Sequence, residues 1–173
     1  MTMSRPQPSE YAQFYAGYIG KVPDSGPIAL MTDQVATLER LKSLSEDQGN
    51  HAYADGKWTV KEVIGHLADA ERVFSYRLTR IARGDQTPLA GFDENAWAKT
   101  APHGRRAVAD VIDEMIAIRH ATLALMRSLD DSTIGNTGVA NNNAVSARAI
   151  CWIMAGHTAH HLNILGERYG VKY

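Results

Sequence analysis

Three histidines lie within five positions of an apolar stretch near the end of the chain, in the sequence AGHTAHHLNIL at residues 155–165. Two histidines four residues apart on a helix project side by side, and their ring nitrogens can bind the same divalent metal ion. His157 and His161 have this spacing. The pattern leaves two alternatives open: a metal site, or buried histidines that hydrogen-bond within the core.

Helical periodicity indicates which of these histidines face the interior. At 100° per residue, the apolar positions around them form one stripe, made of Ile150, Ile153, Met154, Ile164 and Leu165. His157 and His161 fall near the middle of that stripe, and His160 falls toward its edge. Two protein ligands hold a metal weakly, so a third is expected from another helix. His66, in EVIGHLADAE, lies at the border of its own apolar stripe and is the candidate.

Two charged residues also fall within apolar stripes and are the candidate catalytic residues. Glu71 lies in the stripe that contains His66, and Arg119 lies near the middle of another. Buried charges are normally paired or line a wet cavity, which predicts a Glu71–Arg119 ion pair near the histidines. The alternative for Arg119 is a side chain that extends along the surface to water. Cys151 is off the ligand face, and we interpret it as a small core residue.

Four helices are predicted to position these residues, at about 28–45, 59–84, 106–129 and 146–169. Thr59 and Glu62 have the spacing of a capping box, so the second helix should begin at Thr59. Gly170 follows the fourth helix at a position that favours a helix end. Four long helices in 173 residues indicate a four-helix bundle, which is an all-α fold.

The remaining segments have few strand signals and many turn-forming residues. Residues 1–27 are predicted to form an N-terminal arm and residues 28–173 the bundle, within one domain spanning 1–173. Four aromatic residues of the arm, Tyr11, Phe14, Tyr15 and Tyr18, favour packing on the bundle over contact with a substrate. The loop at residues 92–97 could wall a pocket or simply pack on the helices.

Composition limits the classes of function. The chain is 21% charged and 45% hydrophobic with a formal net charge of −1, which is typical of a soluble globular protein. Without a basic patch, we expect no nucleic-acid or membrane partner. The single cysteine cannot form an intrachain disulfide, and residues 1–10 lack the apolar segment of a signal peptide. A cytoplasmic location is therefore expected.

Two long motifs resemble a known family. WTVKEVIGHLADAERVFSYR at residues 58–77 and AVSARAICWIMAGHTAHHLNIL at residues 144–165 are similar to the DinB/YfiT-like superfamily. The similarity extends to GFDENAW and to the arm sequence SEYAQFYAGYIGKVP. The family pattern places one histidine on the second helix and two, four residues apart, on the fourth. On this sequence it implies His66, His157 and His161 as metal ligands, while His160 occupies a variable position.

The resemblance also implies an up-down-down-up helix order and a homodimer. Members of the family bind zinc or nickel. Some act as transferases that depend on the thiols bacillithiol or mycothiol, and others are described as hydrolases. The Irving–Williams order and an all-nitrogen ligand set suit zinc, nickel or copper and argue against magnesium or calcium, with zinc the first choice and nickel the second.

Two hypotheses of function follow. The first is a metal-dependent enzyme that acts on a small molecule, either as an S-transferase using a low-molecular-weight thiol or as a hydrolase. The second is a non-catalytic metal-binding protein of the stress response. A cavity beside the histidines with Arg119 reaching into it would favour the enzyme, and a site sealed by apolar side chains would favour the binding protein.

Overall fold

Seven α-helices form within residues 3–173, which are the residues that the computed structural model describes. Four are long, and three are short helices in the arm and the connections. In chain order they are α1 (Ala16–Ile19), α2 (Pro27–Leu41), α3 (Glu46–Gly49), α4 (Val60–Ala82), α5 (Glu94–Thr100), α6 (Val108–Arg127) and α7 (Ala147–Tyr169).

The predicted helix ends are close to the observed ones because their signals are local. The Thr59 side chain accepts a hydrogen bond from the Glu62 backbone and Glu62 caps in return, so α4 begins as predicted. Gly170 ends α7 in the left-handed conformation, with φ of 67°. The first predicted helix is shorter than expected: α2 ends at Leu41, and Ser45 caps the separate helix α3.

Contacts at the helix ends fix the up-down-down-up order. The Lys61 ammonium donates to the Arg106 carbonyl at 2.9 Å, so α4 and α6 begin at the same end of the bundle. The Tyr169 hydroxyl donates to the Trp58 carbonyl at 2.6 Å, so α7 ends where α4 begins. Arg127, at the end of α6, donates to Thr32 near the start of α2. Both α2 and α4 therefore pack against both α6 and α7, and the predicted bundle is confirmed.

A buried polar network, the Arg119 network, links all four long helices. Arg119 of α6 is 0% exposed and donates to both carboxylate oxygens of Glu71 on α4. Its other nitrogens donate to Gln34 on α2 at 2.7 Å and to Thr158 on α7 at 2.8 Å. Gln34 in turn donates to the Ala155 carbonyl at 3.0 Å. The predicted ion pair is present, and Arg119 does not extend to water.

The arm packs across α7 beside the histidines; Met1 and Thr2 of the predicted arm lie outside the described residues. Arg5 donates to the carbonyls of Ile19 and Val22, which closes the arm into a compact turn. The Tyr18 carbonyl approaches Gly156 so closely that a Cβ there would lie 1.9 Å from its oxygen. Only glycine allows this contact, so the residue before His157 sets where the arm crosses.

A β-hairpin replaces the expected loop between the third and fourth long helices. Strands β1 (Thr137–Ala140) and β2 (Asn143–Ser146) pair antiparallel across Asn141 and Asn142, which have φ of 50° and 60°. Two positive φ values are the requirement of a type I′ turn, and asparagine tolerates them well. The Leu89 N–H donates to the Val139 carbonyl and the Leu89 carbonyl accepts from the Asn141 N–H, which ties the loop after α4 to the end of β1.

None of the helices in the described part of the chain combines the length and the apolar character needed to cross a membrane.

Candidate metal centre

The structure brings together the three histidines that the sequence pattern selected. His157 Nε2 lies 3.1 Å from His66 Nε2 and 3.1 Å from His161 Nε2. One ring nitrogen from each residue lies within 4.8 Å of the other two. Because α4 and α7 run antiparallel, the seventh residue of α4 lies beside the third and fourth turns of α7. These residues are called the histidine cluster below.

Hydrogen bonding alone does not account for the histidine cluster. A neutral imidazole has one N–H donor and one acceptor nitrogen, so Nε2 of His157 can form one good hydrogen bond with its two close neighbours. Two imidazoles bound to one zinc at about 2.0–2.1 Å with tetrahedral angles place their nitrogens about 3.3 Å apart. The 3.1 Å separations are close to that value. The donor set therefore fits a transition metal.

Burial keeps the cluster in the form that can bind a metal. Desolvation lowers the pKa of His157 well below its usual value, and the neighbouring histidines lower it further. Desolvation, followed by the effects of His66 and His160, lowers the pKa of His161 to about 3. Desolvation also lowers the pKa of His66. All three rings are neutral at pH 7, so their lone pairs are free for coordination.

Aromatic side chains fix the ring positions. The Trp58 ring lies 4.9 Å from His66, and the Tyr18 ring meets His157 edge-on at 5.3 Å. Phe74, two turns after His66 on the same face of α4, lies 6.1 Å from the His157 ring. A second glycine contributes here: a Cβ at Gly65 would lie 2.2 Å from the His103 ring. Aromatic rings therefore pack on His66 and His157, and His103 packs against the backbone just before His66.

A cavity of about 360 Å³, the histidine cavity, opens beside the cluster. His66, His157, His160 and His161 line one part of it. The other walls combine the arm, α4 and the segment just before it, the start of α5 with the loop before it, and the hairpin turn. Their residues are Phe14, Tyr15, Tyr18, Trp58, Ala70, Phe74, Arg77, Phe92, Glu94 and Asn141. The arm therefore both packs on the bundle and walls the cavity, although the sequence favoured packing alone. Phe92 lines the cavity, whereas Trp97 is 41% exposed and packs on Phe92.

The two candidate catalytic residues lie apart from the cavity lining. Glu71 is 3% exposed and Arg119 0%, and the two bind each other and the surrounding helices. Neither lines the histidine cavity. Thr158, which follows His157, connects the Arg119 network to the α7 backbone next to the cluster. The pair is thus placed to fix the helix that carries His157 rather than to contact a substrate.

The other candidate ligands have distinct positions. His160 is half-buried, lines the cavity and is not part of the cluster of converging nitrogens. Cys151 is fully buried, and burial raises the pKa of its thiol far above the usual value, as expected for a core residue.

Two charged cavity residues were not selected from the sequence. Glu94 is the one carboxylate that lines the cavity in the described chain, and it comes from a segment that looked like a loop. Asp93 caps α5 through the backbone of Asn95 and Ala96, a local signal that could have revealed this short helix. Arg77 lies 11 residues after His66 on α4, so helical phase alone places it within about 20° of that histidine.

Comparisons with known proteins agree with this architecture. A relative from Oceanobacillus iheyensis named "Putative metal-dependent hydrolase OB0413" is 25% identical over 126 residues, which cover 72% of this chain and 72% of that protein. YfiT from Bacillus subtilis, described as "a probable metal-dependent hydrolase with an unusual four-helix bundle topology", has a TM-score of 0.71 and 19% identity. The match covers 98% of this chain and 95% of that one.

A second solved structure has the same fold. The mycothiol-dependent maleylpyruvate isomerase matches with a TM-score of 0.66 and 12% identity, over 87% of this chain and 66% of that chain. The sequence profile of the DinB superfamily matches residues 29–165, which include all four long helices almost completely. With that span of sequence matched and the bundle topology shared, the chain belongs to the DinB superfamily.

Proposed function

We propose that His66, His157 and His161 bind a divalent transition metal and that the chain is a metal-dependent enzyme acting on a small molecule. The observation that carries the proposal is the convergence of three neutral ring nitrogens beside an open cavity of about 360 Å³. Three protein ligands beside open space are typical of catalytic metal sites, because structural sites are closed by a fourth ligand. Zinc is our first choice of metal and nickel the second.

Two reactions suit this site. A metal held by three imidazoles supplies a nucleophile at neutral pH, either hydroxide from water or the thiolate of a small thiol. The first gives a hydrolase and the second a thiol-dependent S-transferase. The names of the relatives support metal-dependent hydrolysis, and the isomerase with the same fold supports the use of a thiol. In both cases the aromatic walls would exclude water from around the substrate.

Two cavity residues are suited to move a proton. Glu94 is exposed at the wall of the cavity, so its carboxylate can accept a proton from a nucleophile and pass it to solvent. His160 lines the same cavity, and desolvation lowers its pKa. A neutral imidazole at pH 7 is a competent base. We therefore propose Glu94 and His160 as the proton acceptors, with Glu71 and Arg119 as positioning residues.

The alternative is a metal-binding protein without catalysis. A cavity wall with both charged and aromatic side chains favours the enzyme, since a storage or sensing site needs no space for a substrate. An Arg119 side chain reaching into the cavity was the other feature expected of an enzyme, and Arg119 does not reach into it. We also propose a homodimer, which analytical ultracentrifugation of the purified chain would test.

The first experiment is elemental analysis of protein purified without a histidine tag or a nickel column. We expect about one transition metal ion per chain, absent from His161→Ala and retained in His160→Ala, the matched control one position away. Metal-loaded protein is then assayed for hydrolysis of activated esters and for transfer of a small thiol to an electrophile. Absence of metal from the native chain, even after zinc is added, would overturn the proposal.

A further inference from the structure

One cationic side chain in the histidine cavity lacks a counterion. Arg77 is 4% exposed and lines the cavity. No carboxylate lies within ion-pair distance of it in residues 3–173, although the other buried arginine, Arg119, is fully paired with Glu71. A guanidinium is charged at all physiological pH values, and burying it without a partner is costly. The fold therefore maintains an uncompensated positive charge beside the histidines.

The hydrogen bonds of Arg77 are also incomplete. One terminal nitrogen, Nη2, donates to the Ala90 carbonyl at 2.6 Å, which orients the guanidinium. The Nε–H group is buried and has no hydrogen-bond acceptor in the described chain. Tyr15 lies beside Arg77: burial raises the pKa of its phenol, and the charge of Arg77 and a side-chain hydrogen bond with it offset that rise in part. A neutral phenol does not balance a full charge. An acceptor is missing on the Nε side.

Helix geometry directs Arg77 toward the cluster. His66, Ala70, Phe74 and Arg77 follow the spacing of one face of α4, and all four line the cavity. Side chains on a helix lean toward its N-terminus, so Arg77 leans toward His66. Phe74 lies between the two groups, with its ring 5.7 Å from the Arg77 guanidinium carbon and 6.1 Å from the His157 ring. A ligand lying over Phe74 would therefore contact both Arg77 and the histidine cluster.

We propose that Arg77 binds the carboxylate of a small substrate whose reacting group lies at the histidine cluster. This deepens the proposed function and rests on it only in taking the histidine cavity as the substrate site. A single guanidinium matches a planar monoanion, because its fork fits the two oxygens of a carboxylate. The exposed carboxylate of Glu94 in the same wall disfavours a dianion such as phosphate. Phe74 and Tyr15 would pack on the apolar carbon chain between the two ends.

The test is an NMR titration that observes the Arg77 Nε–H resonance directly. Metal-free full-length protein is titrated with butyrate, with the neutral isostere butyramide and with inorganic phosphate. We expect butyrate to shift the Arg77 resonance saturably and butyramide to leave it unchanged. We expect phosphate to bind more weakly than butyrate. Arg77→Lys should weaken butyrate binding at least tenfold, because lysine keeps the charge but cannot bind both carboxylate oxygens as a guanidinium does. Arg80→Lys, on the same helix but paired with Asp85, should change it less than twofold.

Other results overturn the proposal. They are an equal response to butyrate and butyramide, a stronger response to phosphate, or a butyrate site that leaves the Arg77 resonance unmoved. The wild-type titration decides the matter if Arg77→Lys does not fold. Because the protein carries no metal in this experiment, failure of the carboxylate site is separate from failure of the metal site. Arg77→Lys should also retain the metal content of the wild type.

Discussion

The Arg119 network and the histidine cluster are neighbours on α7, where Thr158 of the first follows His157 of the second, yet their polar groups are satisfied to different degrees. Around Arg119, each guanidinium nitrogen has an acceptor from one of the other three helices. Around His157, two ring nitrogens lie 3.1 Å away, and only one good hydrogen bond is available. Burial therefore produces a fully hydrogen-bonded structural brace around Arg119. In the histidine cluster it leaves hydrogen bonding incomplete, so a ligand can bind there.

Removing Arg119 should have the largest effect on stability. Arg119→Met leaves Glu71 buried without a partner, and we expect a loss of about 3–5 kcal/mol in the free energy of unfolding, measured with urea. The double variant Arg119→Met with Glu71→Leu should recover most of this loss, because both charges are then absent. A loss below about 1 kcal/mol in the single variant would contradict the role of the network as a brace.

Metal binding should stabilise the histidine cluster and leave the Arg119 network unaffected. Zinc at about a hundred times its dissociation constant should add about 2.7 kcal/mol to the free energy of unfolding. This gain should vanish in His157→Ala and persist in His160→Ala, both measured by thermal unfolding with and without zinc. An equal gain in His157→Ala would show that zinc binds elsewhere and would remove the contrast between the two regions.

The close contact at Gly156 tests whether the arm belongs to the site. Gly156→Ala places a Cβ against the Tyr18 carbonyl, so the arm must move, at a cost of about 1–3 kcal/mol. We expect faster tryptic cleavage after Lys21 and a lower free energy of unfolding. Gly17→Ala is the matched control, because a Cβ there meets no atom within 4 Å. Unchanged proteolysis in Gly156→Ala would mean that the arm is fixed by other contacts.

The smallest effect should come from the ion pair that holds the start of the arm. Glu10 accepts hydrogen bonds from Ser146 and Arg148. Burial raises the pKa of Glu10, but these bonds and the Gln7 backbone together lower it by a larger amount. The net pKa therefore lies below the usual 4.5. The stabilisation is therefore fully present above pH 4.5 and is lost as the pH falls through the lowered pKa.

Glu10→Gln should cost about 0.5–1 kcal/mol at pH 7, as for a partly exposed ion pair. The difference from wild type should shrink as the pH falls below about 4.5. Unfolding curves at pH 7, 4 and 3 measure it. A difference that grows on acidification would reverse the sign of the linkage and would assign the effect to another group.

Much of the site was accessible from the sequence because helices have a fixed period. The positions of His66, His157 and His161 follow from phase and from capping signals at Thr59 and Gly170, and the structure brings the three together. Phase also predicted the Glu71–Arg119 pair. Helical phase could not show that the pair lies outside the cavity. The position of the pair depends on how far α6 and α2 cover these two side chains.

The segments without a period were predicted less well. For the hairpin at Thr137–Ser146 the sequence predicts a turn-rich loop, since its strands have four residues each and little alternation. Helix α5 lies within a segment rich in proline and glycine, so helical periodicity does not identify Glu94. The hairpin depends on contacts with a distant part of the chain, the backbone bonds to Leu89. Helix α5 has a local capping signal at Asp93, but it is short and has no buried apolar face to give it a period.

The sequence by itself determined the four helices, the inward face of each and the residues that could bind a metal, because propensity, capping and periodicity act over a few residues. The tertiary structure decided which buried charges are paired and which remain free. Arg119 and Arg77 both lie in buried helical faces, and only the packing of α2, α4 and α7 around Arg119 supplies its partners. Arg77 instead meets a cavity, because the arm and the hairpin turn wall that space without filling it.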